Sequence, residues 1–138
     1  MFLLDTNVVS ELRKIGAGKG DRSVSRWSRS LDVAELFLSV VTIEEIEVGV
    51  LRIERQDPAQ GKMFRTWLDE QVLPAFENRI LPVDLQVARM CASLHVPDPR
   101  PIRDTMIGAT ALAHGLTLAT RNVGDFEPMG VELVNPWV

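Results

Sequence analysis

Acidic side chains stand at or close to the ends of several short apolar runs in this sequence, or at the start of the helical pattern that follows. These acids are Asp5, Glu44, Glu45, Asp104 and Asp125. Carboxylates that converge on one cleft repel one another, and a hard divalent cation such as Mg²⁺ relieves that repulsion. Mg²⁺ keeps several waters and accepts phosphate oxygens, so the combination predicts a metal site suited to phosphoryl chemistry.

Each acid taken alone also has an ordinary structural explanation. Asp5 and Asp104 both fit helix N-caps, where Asp is a preferred residue. The segment Thr42-x-x-Glu45 fits a capping box, and Asp125 fits a turn. Only the recurrence of acids at four positions near the ends of strands or the starts of helices favours a metal site over four separate caps and turns.

Other catalytic chemistries have little support in the residue types. The two histidines, His95 and His114, lie near predicted helix C-termini, where capping and dipole roles are usual. Cys91 is the only cysteine, which excludes an internal disulfide and a thiolate metal site. Residues 16–20, Gly-Ala-Gly-Lys-Gly, lack the Gly-Lys-Ser/Thr ending and the preceding strand of a phosphate-binding loop, and we predict a flexible connection there.

Short apolar runs alternate with longer amphipathic segments, as in a sheet covered by helices. We predict strands at residues 1–4, 36–40, 79–83, 116–120 and 131–134, and helices at 6–14, 23–31, 42–56, 59–77, 85–95 and 104–114. Helical connections between strands favour parallel pairing and a sheet buried on both faces. The expected class is α/β, a three-layer sandwich with a mostly parallel sheet of four to five strands.

Length and composition are those of one globular domain over residues 1–138. The chain has 15 Lys plus Arg against 19 Asp plus Glu, a formal net charge of −4, and 46% hydrophobic residues. Its apolar runs are far shorter than the roughly 20 residues of a bilayer helix. The first residues show no basic region followed by an apolar one. We therefore expect a cytoplasmic protein without a membrane segment.

Five sequence blocks, in this order, resemble the PIN-domain ribonucleases, and within them the VapC toxins of type II toxin–antitoxin systems, especially the FitB-like branch. The blocks are Leu3–Glu11, Leu38–Gly49, Asp104–Ala111, Leu116–Phe126 and Val134–Trp137. The resemblance implies a PIN fold and metal-dependent hydrolysis of RNA phosphodiester bonds, with Mg²⁺ as cofactor and Mn²⁺ as its substitute.

Carried over position by position, the resemblance assigns the catalytic metal ligands to Asp5, Glu45, Asp104 and Asp125, and it selects Glu45 over Glu44. Asn122 is an alternative fourth ligand, because some FitB-like members have an acid at that position. Polar supports for the carboxylates are expected at Thr6, Asn7, Thr120 and Asn122. The resemblance further implies a VapB/FitA-like antitoxin that inserts a basic side chain into the pocket, a homodimer, and a toxin–antitoxin hetero-oligomer.

An RNA substrate needs local positive charge on a protein with an acidic balance. Within 17 positions the sequence holds six of its 15 bases, namely Arg13, Lys14, Lys19, Arg22, Arg26 and Arg29. Trp27 among them is either a base-stacking side chain or an inward anchor. Arg100, Arg103 and Arg121 flank the acidic corners and are either phosphate contacts or solvated surface residues.

Two other functions remain open. One is a catalytically silent or housekeeping PIN module that binds RNA or a protein partner, which the presence of all four acids disfavours. The other is a phosphatase with an aspartyl nucleophile at Asp5. That chemistry ordinarily needs a second acid two residues later, where this chain has Asn7.

Overall fold

Five short strands, all paired in parallel, form the centre of the molecule. The computed structural model describes residues 1–138, with β1 at Phe2–Leu4, β2 at Leu36–Ser39, β3 at Ile80–Leu81, β4 at Thr117–Ala119 and β5 at Leu133–Val134. Their order in the sheet is β3-β2-β1-β4-β5. The predicted α/β class and mostly parallel sheet are confirmed.

Eight helices connect or follow these strands. They are α1 (Thr6–Gly16), α2 (Arg22–Arg29), α3 (Val40–Gln56), α4 (Pro58–Trp67), α5 (Leu73–Ala75), α6 (Leu85–Leu94), α7 (Ile102–His114) and α8 (Val123–Phe126). Short 3₁₀ turns occupy Val33–Glu35 and Glu127–Met129. None of the helices combines the length and apolar character needed to cross a membrane.

Successive strand residues point to opposite faces of the sheet, and helices cover both faces. Leu4 and its neighbour Leu38 pack with residues of α1, α3 and the segment after α4. Leu3 and Leu118 pack on the opposite side with Ile107 and Ala111 of α7. These two separate hydrophobic cores confirm the predicted three-layer sandwich.

Two helices begin two residues earlier than the sequence pattern predicts. The helix α3 begins at Val40, and the buried Ser39 caps it by accepting a hydrogen bond from the Val41 N–H at 3.0 Å. The proposed capping box of Thr42 and Glu45 is therefore wrong, and the Glu45 side chain is free for other partners. Likewise, α7 begins at Ile102, which places Asp104 inside the first turn rather than at the N-cap.

The single helix predicted over residues 59–77 is interrupted. A π-helical stretch at Leu68–Val72 separates α4 from α5, and the N–H of Leu73 bonds to the carbonyl of Leu68. Pro74 lies at the start of α5 and has no backbone N–H to continue a regular α-helical ladder. Proline thus accounts for the change of hydrogen-bond pattern at this point.

The packing of α4 on α3 depends on Gly61. A Cβ atom at Gly61 would lie 2.5 Å from the Glu54 Cα, whereas a Cβ at Gly49 of α3 would meet no atom within 4 Å. We expect Gly61→Ala to lower the free energy of unfolding by about 1–3 kcal/mol, because the two backbones must separate. The matched Gly49→Ala should raise it by up to about 1 kcal/mol through helix propensity. Urea unfolding measures both, and equal effects at the two sites would contradict the close contact.

Candidate metal centre

The strand order changes direction at β1, and this change creates a crevice at the carboxyl end of the sheet. From the edge strand β3, the chain crosses over β2 and β1 to reach β4. In open parallel sheets, ligands bind at such a point, beyond the carboxyl ends of the two strands. Here Asp5 follows β1 and Thr120 follows β4, and the Asp5 N–H donates to the Ala119 carbonyl at 2.9 Å.

The Asp5 carboxylate is the most buried acid of the crevice, with a relative exposure of 6%. Its Oδ1 accepts from the Thr6 N–H at 2.8 Å, as an N-cap does, and its Oδ2 accepts from the Thr120 hydroxyl at 2.8 Å. The Asn7 amide also donates to Oδ2 at 3.3 Å. Asp5 therefore caps α1, and its carboxylate is also held by Thr120, which follows β4. Asp5 and Thr120 lie on the two sides of the switch point, the place between β1 and β4 where the strand order changes direction.

Burial raises the pKa of the Asp5 carboxyl above its ordinary value, against the lowering effect of its hydrogen bonds to Thr120 and Thr6. The negative charges of Glu45 and Asp125 raise the Asp5 pKa further. Carboxylates from three separate elements thus act on one another electrostatically in the crevice.

Glu45 and Glu44 have different surroundings despite their adjacent positions on α3. The Thr6 hydroxyl donates to Glu45 Oε1 at 2.9 Å, which joins Glu45 to the start of α1. Glu44 is exposed and lies 3.4 Å from the Arg103 Nε. The structure therefore brings Glu45 to Asp5 and turns Glu44 toward an arginine at the rim.

Asp104 reaches the crevice from the first turn of α7. Burial raises the pKa of the Asp104 carboxyl, and the charges of Asp5 and Asp125 raise it further. Asp125 is an exposed residue of the short helix α8 rather than of a turn. Asn122 is exposed as well, and its backbone N–H donates to the Thr120 hydroxyl at 3.0 Å. Both candidates for the fourth ligand position therefore lie next to the crevice.

The predicted polar supports form one hydrogen-bonded group around Asp5. The Thr120 hydroxyl lies 3.5 Å from the Asn7 amide nitrogen, and the Asn7 amide oxygen accepts from the Arg121 N–H at 3.3 Å. Sequence analysis missed one member, Thr42, which is fully buried and whose Oγ1 lies 3.3 Å from the Thr6 Oγ1. Thr42 stands shortly after β2, and this position was the signal that it belongs to the site. The capping-box interpretation assigned Thr42 a purely structural role instead.

The donor atoms fit a hard divalent cation. The crevice presents carboxylate, hydroxyl and amide oxygens around Asp5, and the charges of Glu45 and Asp125 act on the Asp5 carboxylate. The structure contains no group of three or more His, Cys, Asp or Glu side chains arranged to hold a metal ion. Mg²⁺ ordinarily takes one or two carboxylates and completes its shell with water and phosphate, so the crevice suits this mode of binding.

The predicted basic residues do not all lie at the crevice. Trp27 is an inward anchor, because its ring packs edge-on against Phe2 with centroids 5.4 Å apart. The Arg100 Nε donates to the Leu94 carbonyl at 2.9 Å. Arg103 pairs with Glu44 as described, and the Arg121 guanidinium lies over the Trp137 ring at 5.1 Å.

Fold and crevice together define an α/β protein with an acidic oxygen-donor site at its switch point. The sequence model of the PIN domain matches residues 2–128, so the chain belongs to the PIN domain family. It is 37% identical to "VapC ribonuclease Y4jK" of Sinorhizobium fredii over 99% of this chain and 98% of that protein. It is 36% identical to "Toxin FitB" of Neisseria gonorrhoeae over 99% of both chains.

Solved structures show the same relationship. A chain of the crystal structure of FitAcB from Neisseria gonorrhoeae superimposes with a TM-score of 0.89 at 34% identity, over 99% of both chains. A member of the VapBC family of toxin–antitoxin systems, VapBC-5 from Mycobacterium tuberculosis, matches with a TM-score of 0.54 at 29% identity, over 72% of this chain and 81% of that chain.

Proposed function

We propose that the protein is a cytoplasmic, Mg²⁺-dependent endoribonuclease that acts as the toxin of a type II toxin–antitoxin pair. The observation that carries this proposal is the convergence of Asp5, Glu45, Asp104 and Asp125 at the switch point of a PIN fold. The charges of Glu45 and Asp125 raise the pKa of Asp5, and those of Asp5 and Asp125 raise the pKa of Asp104, which supports one shared site. The ribonuclease and toxin relatives support the same function.

In this proposal Asp5 and Asp104 are the principal metal ligands, with Glu45 and either Asp125 or Asn122 completing the set. When bound, Mg²⁺ supplies an activated water and stabilises charge on the leaving oxygen. Thr120 and Asn7 hold the Asp5 carboxylate in a fixed orientation through hydrogen bonds. Such fixed partners keep ligand oxygens in place before substrate arrives.

The phosphatase alternative lacks its usual second acid. An aspartyl nucleophile at Asp5 ordinarily works with an acid two residues later, which protonates the leaving group. The position two residues later holds Asn7, and its amide donates to the Asp5 Oδ2 at 3.3 Å. Asp5 therefore has a hydrogen-bond donor where that chemistry needs a second acid.

Cleavage of end-labelled RNA by the purified protein tests the proposal. Titration with Mg²⁺ and Mn²⁺ should produce internal cuts that depend on metal and leave no covalent phosphoenzyme. RNA binding without cleavage at every metal concentration would instead establish the non-catalytic PIN module.

An apolar groove of about 370 Å³ lies between α1 and the helices α4 and α5. Its lining includes Leu12, Phe64 and Trp67, and the Arg13 guanidinium lies over the Phe64 ring at 4.6 Å. We propose that an amphipathic antitoxin segment occupies this groove, with apolar side chains against the rings and an acidic residue near Arg13. Light scattering of the complex should show the proposed toxin homodimer within a hetero-oligomer.

Met63 tests this assignment because it lines the groove and is 73% exposed. Met63→Asp should weaken antitoxin binding by about tenfold or more, since a charge in an apolar contact costs at least about 1.4 kcal/mol. Leu85→Asp is the matched control, because Leu85 is 76% exposed on α6 and outside the groove. Calorimetry of antitoxin binding separates the two, and an equal loss in both variants would reject the groove.

A further inference from the structure

A concave basic surface lies at the turn between α1 and α2, outside the crevice. It encloses about 490 Å³, and Ile15 is the single apolar residue of its lining. We call this surface the basic concavity, and its cationic side chains are Lys19, Arg22, Arg26 and Arg29. All four are exposed.

The cations of the basic concavity have no carboxylate partners. The ion pairs of the protein involve Arg65 and Arg103 only. Asp21, the one acid of the lining, caps α2 by accepting from the Val24 N–H at 3.0 Å. Arg22, Arg26 and Arg29 follow the spacing that places side chains on one helix face, so they repel one another. A surface of this kind is suited to an anion with several charges.

The basic concavity and the crevice lie at opposite ends of α1 and β1. Thr6 begins α1 beside Asp5, and the 11 residues of α1 end at Gly16, a length of roughly 16 Å. Trp27 of α2 packs against Phe2, at the opposite end of β1 from Asp5. The six bases clustered in the sequence therefore do not surround the acidic crevice.

We propose that the basic concavity binds the phosphodiester backbone of the RNA substrate at a distance from the cleaved bond; this inference rests on the proposed ribonuclease function. Arginine guanidinium groups match phosphate oxygens in a bidentate geometry. A protein partner would need an apolar centre in its contact, and Ile15 alone does not provide one. The enzyme thus prefers RNA long or folded enough to reach both sites.

The test compares a triple variant, Arg22→Gln with Arg26→Gln and Arg29→Gln, with the wild type on two substrates. On a full-length folded RNA we expect KM to rise about tenfold or more, with kcat nearly unchanged. On a trinucleotide that spans only the crevice, both constants should stay as in the wild type. On a long single-stranded RNA, the slope of log affinity against log salt should become shallower by about 2, since each of the three lost contacts removes roughly 0.7.

A second triple variant, Arg52→Gln with Arg55→Gln and Arg89→Gln, is the control, because these exposed arginines lie on α3 and α6 and make no ion pair. It should behave as the wild type on both substrates. Unchanged KM for long RNA in the first variant, or a loss of antitoxin binding instead, would overturn the proposal.

Two further measurements keep the outcome interpretable. Circular dichroism shows whether the triple variant folds, and the single Arg26→Gln variant replaces it where it does not. Anisotropy of labelled long RNA measures binding without cleavage. If the wild type cuts no RNA but binds it through the basic concavity, the proposed ribonuclease function fails, and only RNA binding at the basic concavity is retained.

Discussion

Replacing Asp5 by asparagine is expected to lower RNA cleavage by about 1,000-fold or more, equivalent to about 4 kcal/mol of transition-state stabilisation. The substitution removes the charge of the most buried carboxylate in the crevice but preserves its shape. Asn Oδ1 can still accept from the Thr6 N–H, so the cap of α1 is retained. Rates with saturating Mg²⁺ and the labelled RNA substrate measure the effect.

Glu44→Gln is the matched control for this prediction. Glu44 carries the same charge near the same crevice, but it is exposed and its carboxylate is turned toward Arg103. We expect its cleavage rate to stay within about threefold of the wild type, which is less than 1 kcal/mol. Full activity in a folded Asp5→Asn protein would remove Asp5 from the metal site.

Removing divalent metal is expected to have an equally large effect. Chelation should abolish cleavage, and added Mg²⁺ or Mn²⁺ should restore it. Mg²⁺ should also raise the thermal unfolding midpoint at pH 7, because an ion that binds only the folded state stabilises it. Calorimetric scans with and without Mg²⁺ measure this shift, and undiminished cleavage in excess chelator would contradict the assignment.

The pH dependence of metal-free stability follows from the raised pKa values of Asp5 and Asp104. A carboxyl whose pKa is raised on folding contributes stability below its unfolded pKa, and this contribution is lost as pH rises through the folded pKa. At neutral pH the metal-free protein therefore carries a cost from the burial of the charged Asp5 and Asp104 carboxylates, increased by repulsion from neighbouring acids. We expect Mg²⁺ to relieve this cost. The stabilisation by Mg²⁺ should shrink as the solution is acidified and the ligands become protonated.

Asp104→Asn separates this repulsion from other effects of pH. Without metal at pH 7, the variant should unfold at a higher temperature than the wild type, because it no longer buries the Asp104 charge or holds that charge near Asp5 and Asp125. It should gain less from Mg²⁺ than the wild type does. Equal stabilisation of both proteins by Mg²⁺ would show that the ion binds elsewhere.

Much of the fold could be predicted from local patterns alone. The runs that contain Leu3, Leu38 and Leu118 are short and apolar because both faces of a central parallel strand are buried. Helix ends were less predictable, since Ser39 and Thr42 are both plausible caps and only the packed structure selects Ser39. The interruption after α4 depends on Pro74, and the spacing of apolar residues does not indicate it.

For the candidate site, too, local sequence patterns determined one part and tertiary packing the other. Residue types and order determined the class of protein, an α/β chain with acids at the corners of its sheet, because burial and helix capping act over a few neighbouring residues. The tertiary structure decided which side chains meet: the Thr120 hydroxyl reaches Asp5 across 115 positions of sequence. That contact depends on β4 lying beside β1, and strand order is set by the packing of the whole sheet.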